Sequence, residues 1–150
     1  MVDSRDKGAR AELAIRDELR KLTAHKWERV PSSGALSPIH LLKGDLYIPG
    51  KDNVFCVECK HYAEDQLSTG ILTNKNPQLL DWWLQSLRQA NQVNKLPLLL
   101  FKHDRSKIFA ARLEAPKGLY KNILIDYIDT IMYISLLQDW IEHDKPKFII

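Results

Sequence analysis

Three charged residues interrupt an otherwise apolar pair of strand-like segments: Asp45 opens GDLYI, and Glu58 and Lys60 sit within VFCVECKHY. An unpaired carboxylate among apolar neighbours costs on the order of several kcal/mol, so such a group needs a partner or a use. Neighbouring strands lie about 4.8 Å apart, and two carboxylates on paired strands can share a divalent cation if the register brings them level. Oxygen ligands suit Mg²⁺ or Mn²⁺, and a hard cation held by one or two carboxylates activates water against a phosphodiester. Because strand side chains alternate, Val54, Cys56, Glu58 and Lys60 share one face, and Phe55, Val57, Cys59 and His61 the other. Lys60 is therefore placed to orient that water or to neutralise charge on phosphorus, and its own charge limits repulsion between the carboxylates.

Several elements must position these groups. Residues 4–22 repeat apolar side chains at helical spacing, with Ala11, Ile15, Leu19 and Leu22 on one stripe and Glu12 at its margin, looking into a cleft. WERVPSSGALSP reads as a short strand entering a turn-rich loop, because Pro31, Gly34 and Pro38 exclude a helix. A hairpin follows: DLYI, a turn at PGKDN, then VFCVECKHY. Residues 62–76 are polar and read as an irregular, mobile loop. Asn76 is expected to cap a helix starting at Pro77, with Leu80, Trp83, Leu84 and Leu87 inward. Trp82, adjacent to Trp83, is expected at the margin of that stripe, either packed there or facing a partner or DNA. KLPLLLFK and KIFAARLE read as a buried strand and its partner, followed by ILIDYI, a strand TIMYI, and a short helix opened by Ser135 with Gln138 completing a capping box. The order of helix and strands predicts one α/β domain over residues 1–150, a central mixed β-sheet flanked by helices.

Composition narrows the setting. The chain has 150 residues, 45% of them hydrophobic, enough for one core, and a net charge of +3, too small to announce nucleic acid by itself. The distribution says more, since Arg88, Lys95, Lys102, Arg105, Lys107, Arg112, Lys117 and Lys121 face only Asp104 and Glu114 over the same stretch. That excess fits a solvated face or a phosphate-binding one. Apolar runs stay short of the roughly 18 residues of a membrane span, and MVDSRDKGARAE lacks a signal-peptide core, so a cytoplasmic protein, cellular or viral, with no membrane partner is expected. Cys56 and Cys59 point to opposite faces of their strand and read as two buried thiols rather than a metal pair. His25, His40, His61, His103 and His143 show no metal-ligand spacing, and none is assigned to catalysis. Gln85, Gln89 and Gln92 recur along one helical face that fits either phosphates or solvent.

Each charged residue also has an ordinary explanation. Glu12 could pair with Arg16 four positions on, Asp45 could be a turn residue, and Lys60 could simply neutralise Glu58 on a solvated strand. Their joint order argues otherwise. Asp45 followed by Glu58-Cys59-Lys60 resembles the D…ExK pattern of the PD-(D/E)XK nuclease superfamily. KGARAE ending in Glu12, RVPSSGA, GDLYI and VECK, in that order, are similar to the motifs of archaeal-type Holliday junction resolvases over roughly residues 7–102.

The resemblance implies a restriction-endonuclease-like fold and a metal-dependent, structure-selective DNA endonuclease. It implies that Asp45 and Glu58 bind Mg²⁺ or Mn²⁺, that the Cys59 backbone carbonyl adds a ligand, and that Glu12 is an outer acid holding a water of the metal. Lys60 is the implied catalytic lysine, and Ser33 or its neighbour Ser32 would lie near the scissile phosphate. Gly44 stands where the family has Pro before the Asp, and Ala35 where it often has Ser. The implied substrate is branched DNA, a four-way junction cut by paired symmetric nicks. Because two symmetry-related cuts call for two sites, a homodimer is expected. A restriction-like or repair nuclease acting on duplex, flap or damaged DNA is the alternative, and a non-catalytic DNA-binding module with an inert metal site is a further one.

Overall fold

The structure, a computed structural model, describes residues 4–31 and 42–150. Ser32 and Ser33, with Gly34, Ala35, Pro38 and His40, lie outside the described residues. A seven-stranded mixed sheet forms the centre, in the order β1-β2-β3-β4-β5-β7-β6. Its strands are β1 (Glu28–Arg29), β2 (Leu46–Tyr47), β3 (Phe55–Tyr62), β4 (Leu96–His103), β5 (Phe109–Arg112), β6 (Ile123–Tyr127) and β7 (Thr130–Leu136). Among the described strands only β3 and β4 pair in parallel; the other ladders are antiparallel. The parallel pair needs a crossover, and α3 (Gln78–Gln92) supplies it. The other helices are α1 (Ser4–Thr23), α2 (Gly70–Thr73) and α4 (Leu137–Asp144). No described helix is long and apolar enough to cross a membrane.

From Phe55 onward the alternation read from β3 divides the core as expected, but Val54, which precedes the strand, packs against the same cluster as Phe55 and not on the side of Cys56. Phe55, Val57 and Cys59 join Ile15 and Leu19 of α1 and Trp140 of α4 in one cluster. Cys56 points the other way, against Ala90 and Val93 at the end of α3, and both cysteines are free. Leu99, Phe101, Met132 and Ile134 meet Leu79, Leu80, Trp82 and Trp83 of α3 in the second large cluster. Helices therefore cover both faces of the sheet, with α1 and α4 on one side and α3 on the other.

Local details differ from the sequence expectations for definable reasons. In α3 the buried row includes Leu79, Trp82, Ser86 and Ala90, while Leu84 is exposed. Ser86 and Ala90 are small, and Ala90 sits against Cys56 of β3, so the buried row continues through residues that hydrophobicity alone does not mark. Pro77, not Asn76, occupies the N-cap of α3, with no side-chain cap bond; its carbonyl accepts from the Leu80 and Asp81 amides at 3.1 and 3.3 Å. Residues 62–76 are not irregular throughout, since β3 runs to Tyr62 and α2 occupies Gly70–Thr73.

Ser135 does not cap α4. It belongs to β7, opposite Ala110, and its hydroxyl accepts from Arg112 Nη1 at 2.8 Å. Arg112 is consequently not a surface cation: it is 1% exposed, packs over Trp140 at 5.1 Å, and donates to the Tyr120 hydroxyl, which in turn donates to Asp144. One buried contact thus removes both the expected capping box and one member of the basic run.

Candidate active site

The β2–β3 register decides whether the two strand carboxylates meet. Leu46 is level with Val57, so one step outward Asp45 is level with Glu58, and directly opposed residues of an antiparallel pair project on the same face. The Asp45 amide donates to Val57 O at 2.7 Å and the Asp45 carbonyl accepts from the Val30 amide at 2.8 Å, which fixes its backbone between β3 and the end of β1. The side chain is held too: Asp45 Oδ2 accepts from the Cys59 amide at 2.7 Å.

Gly44 makes this approach possible. Its φ is +86°, a left-handed conformation, and a Cβ there would lie 2.5 Å from Val57 O. The departure from the Pro of the resembling motif is therefore a backbone requirement of this chain.

Glu12 reaches the same place from α1. Its partner is not Arg16, which binds Asp17 at 3.0 Å; Arg29 of β1 donates to Glu12 Oε2 at 2.9 Å. Arg29 was not marked by any sequence pattern, and only the pairing of β1 with β2 carries it to the carboxylates. Glu12, Asp45, Glu58 and Lys60 all line one cleft of about 670 Å³, together with Lys43, His61, Tyr62, Gln85 and Gln89. His61 enters this lining although it faces away from Lys60 by strict alternation, and it is tied to Asp104 at 2.8 Å. Gln92 does not line the cleft.

The electrostatics are those of acids crowded without enough counter-charge. Glu58 is 6% exposed, and its carboxyl is pushed up to about 8, first by burial and then by the charge of Asp45 and a hydrogen bond shared with it; Lys60 opposes the shift. Glu12 is also raised, by burial and by Asp45, against the opposing pull of Arg29. Burial pushes the Cys59 thiol well above its ordinary value, with the three carboxylates adding to it. Such a set can do one of two things: hold protons, or share a cation that replaces them. Hard oxygen donors converging from three elements fit Mg²⁺ or Mn²⁺ better than a soft metal. A separate trio, Asp139, Glu142 and His143 of α4, has ligand atoms within 4.8 Å of one another, but none of the three lines the cleft.

This geometry coincides with a match between residues 3–142 and the model of a family described as phage putative PDDEXK endonuclease. The chain belongs to that family. Protein D14 of Escherichia phage T5 is 37% identical over 158 residues, covering 99% of this chain and 98% of that protein. Among solved structures, Hjc, a Holliday junction resolvase from the archaeal hyperthermophile Archaeoglobus fulgidus, matches with a TM-score of 0.45 and 17% identity, covering 91% of this chain and 93% of that one. Membership makes this a chain of the PD-(D/E)XK nuclease type.

Proposed function

We propose that the protein is a divalent-metal-dependent DNA endonuclease that cuts branched DNA, four-way junctions foremost, as a homodimer. The observation that carries the reading is the level pairing of Asp45 with Glu58 in a cleft that also holds Glu12 and Lys60, within a chain of an endonuclease family. In this reading Asp45, Glu58 and the Cys59 carbonyl hold Mg²⁺ or Mn²⁺, which when bound supplies Lewis-acid activation of the phosphodiester and of the attacking water. Glu12, restrained by Arg29, orients water at the edge of the site. Lys60 presents an ammonium where negative charge grows on the phosphate, and Lys43 at the cleft wall adds a second cation for the backbone.

Branched DNA is supported by the ordered motifs ending in Glu12, Asp45 and Glu58-Cys59-Lys60. Recognition then rests on phosphate positions and the shape of the branch rather than on base edges. Ser33 stays a candidate contact to the scissile phosphate. The test is a panel of labelled four-way junction, flap and unbranched duplex incubated with Mg²⁺. Paired, symmetric cuts in the junction with little cutting of duplex are expected. Equal cutting of all three would replace junction resolution with a general nuclease, and no cutting of any would leave only a binding module.

A further inference from the structure

Beyond Lys60 the same strand face continues to Tyr62, two residues on and therefore about 6.6 Å further along β3. Tyr62 lines the cleft and is 44% exposed, although it is an aromatic residue beside a core. Its inner side rests on Trp82, with ring centroids 5.0 Å apart and planes at 37°, and Trp82 is 6% exposed and leans in turn on Phe101. The ring is thus backed by packed core while its other side is open. Along α3 from Trp82, Gln85 and Gln89 follow at one and two turns and line the cleft as well.

We propose that Tyr62 is a stacking site for an unpaired nucleobase of the strand being cut. The inference rests on the nuclease reading and deepens it by naming what the cleft selects. In an intact duplex each base has both faces covered by its neighbours, whereas a base at a branch, flap or loop offers a free face to an aromatic platform. A platform next to Lys60 therefore favours cutting beside an unstacked nucleotide, and it does so without reading sequence, because every base has a π-face.

The experiment places 2-aminopurine at successive nucleotides around the branch of a four-way junction and follows its fluorescence on binding, with Ca²⁺ in place of Mg²⁺ to hold the complex uncut. Wild type and Tyr62→Phe should quench the probe at one placement, and Tyr62→Leu, which keeps apolar packing on Trp82, should not. The ratio of junction to duplex affinity should fall by roughly 5- to 150-fold in Tyr62→Leu, the range for losing one base–aromatic stack. Quenching unchanged in Tyr62→Leu, or lost equally in Tyr62→Phe, overturns the stacking site. A wild-type protein that binds the junction with no quenching at any placement overturns it while leaving the nuclease reading intact. One that binds no DNA overturns both.

Discussion

At Glu58 a carboxyl is buried beside Asp45, and its proton is retained to about pH 8 against an ordinary value of 4.5. The sign of the consequence follows from the direction of the shift. A raised pKa in the folded state contributes stability that is fully present below 4.5 and is lost as pH rises through about 8. Metal-free wild type should therefore lose melting temperature across that window, and Glu58→Gln should give a flatter profile, as measured by thermal melts in EDTA. Added Mg²⁺ should stabilise wild type more at the upper end of the window than at the lower, because the cation must displace the proton. In the proposed reading Lys60 serves the reaction as well as opposing the shift at Glu58. Lys60→Ala should slow single-turnover cleavage by on the order of 100-fold, as expected for one positioned electrostatic group, and Lys60→Arg should not restore it, since a planar guanidinium cannot take the place of a compact ammonium. A Lys60→Ala rate within about threefold of wild type would return that residue to an ordinary strand lysine. That Glu58 and Lys60 share a face was legible in the sequence because side chains alternate along a strand, whereas Asp45 joins them through a register that the sequence leaves open. Arg29 was not legible, because its contact with Glu12 spans elements separated by most of α1 and a turn, and no local period encodes it.

The element that makes the site is very short. β2 spans Leu46–Tyr47, yet its register alone sets Asp45 against Glu58. Two devices hold it. The Asn53 side chain accepts from the Ile48 amide at 2.7 Å and donates to the Ile48 carbonyl at 2.9 Å, closing the connection to β3, and Gly44 admits the backbone against Val57. Gly44→Ala combines an unfavourable left-handed backbone with a Cβ 2.5 Å from a carbonyl oxygen that cannot swing away. We expect a loss of about 1–3 kcal/mol in denaturant melts and a fall in cleavage larger than that loss explains at temperatures where the variant is folded, because Asp45 moves with β2. Cleavage at the wild-type rate by a folded Gly44→Ala protein would detach the site from this register. The hairpin could be read from its turn residues, but its register could not, since sequence alone allows several pairings across PGKDN. The buried row of α3 was only half visible for a related reason: Ser86 and Ala90 are buried for their small size, which a search for large apolar residues passes over. The expected capping box failed at Ser135 because its hydroxyl serves Arg112, a contact between strands.

For the molecule as a whole, the alternation of helices with strands was enough to anticipate a mixed sheet covered on both faces, and the order of the charged motifs was enough to anticipate the family. The basic run was a poorer guide. Arg112 belongs to the core, so charge counted along the chain overstates charge displayed to a ligand. The proposed dimer has a consequence that single active sites do not: mixing wild type with Glu58→Gln should give heterodimers that nick one strand of a supercoiled cruciform, whereas wild type alone should linearise it. A wild-type protein that is monomeric in sedimentation, free and on the junction, and that yields only nicked plasmid, would remove the paired-cut proposal and leave a nuclease. The most direct test of the account is single-turnover cleavage of a labelled four-way junction by wild type, Asp45→Asn and Glu58→Gln, with Mg²⁺ or EDTA and with binding followed in parallel. Cutting is expected only from wild type with Mg²⁺, while both variants still bind the junction. Cutting by either variant at near the wild-type rate, or by wild type in EDTA, would contradict it.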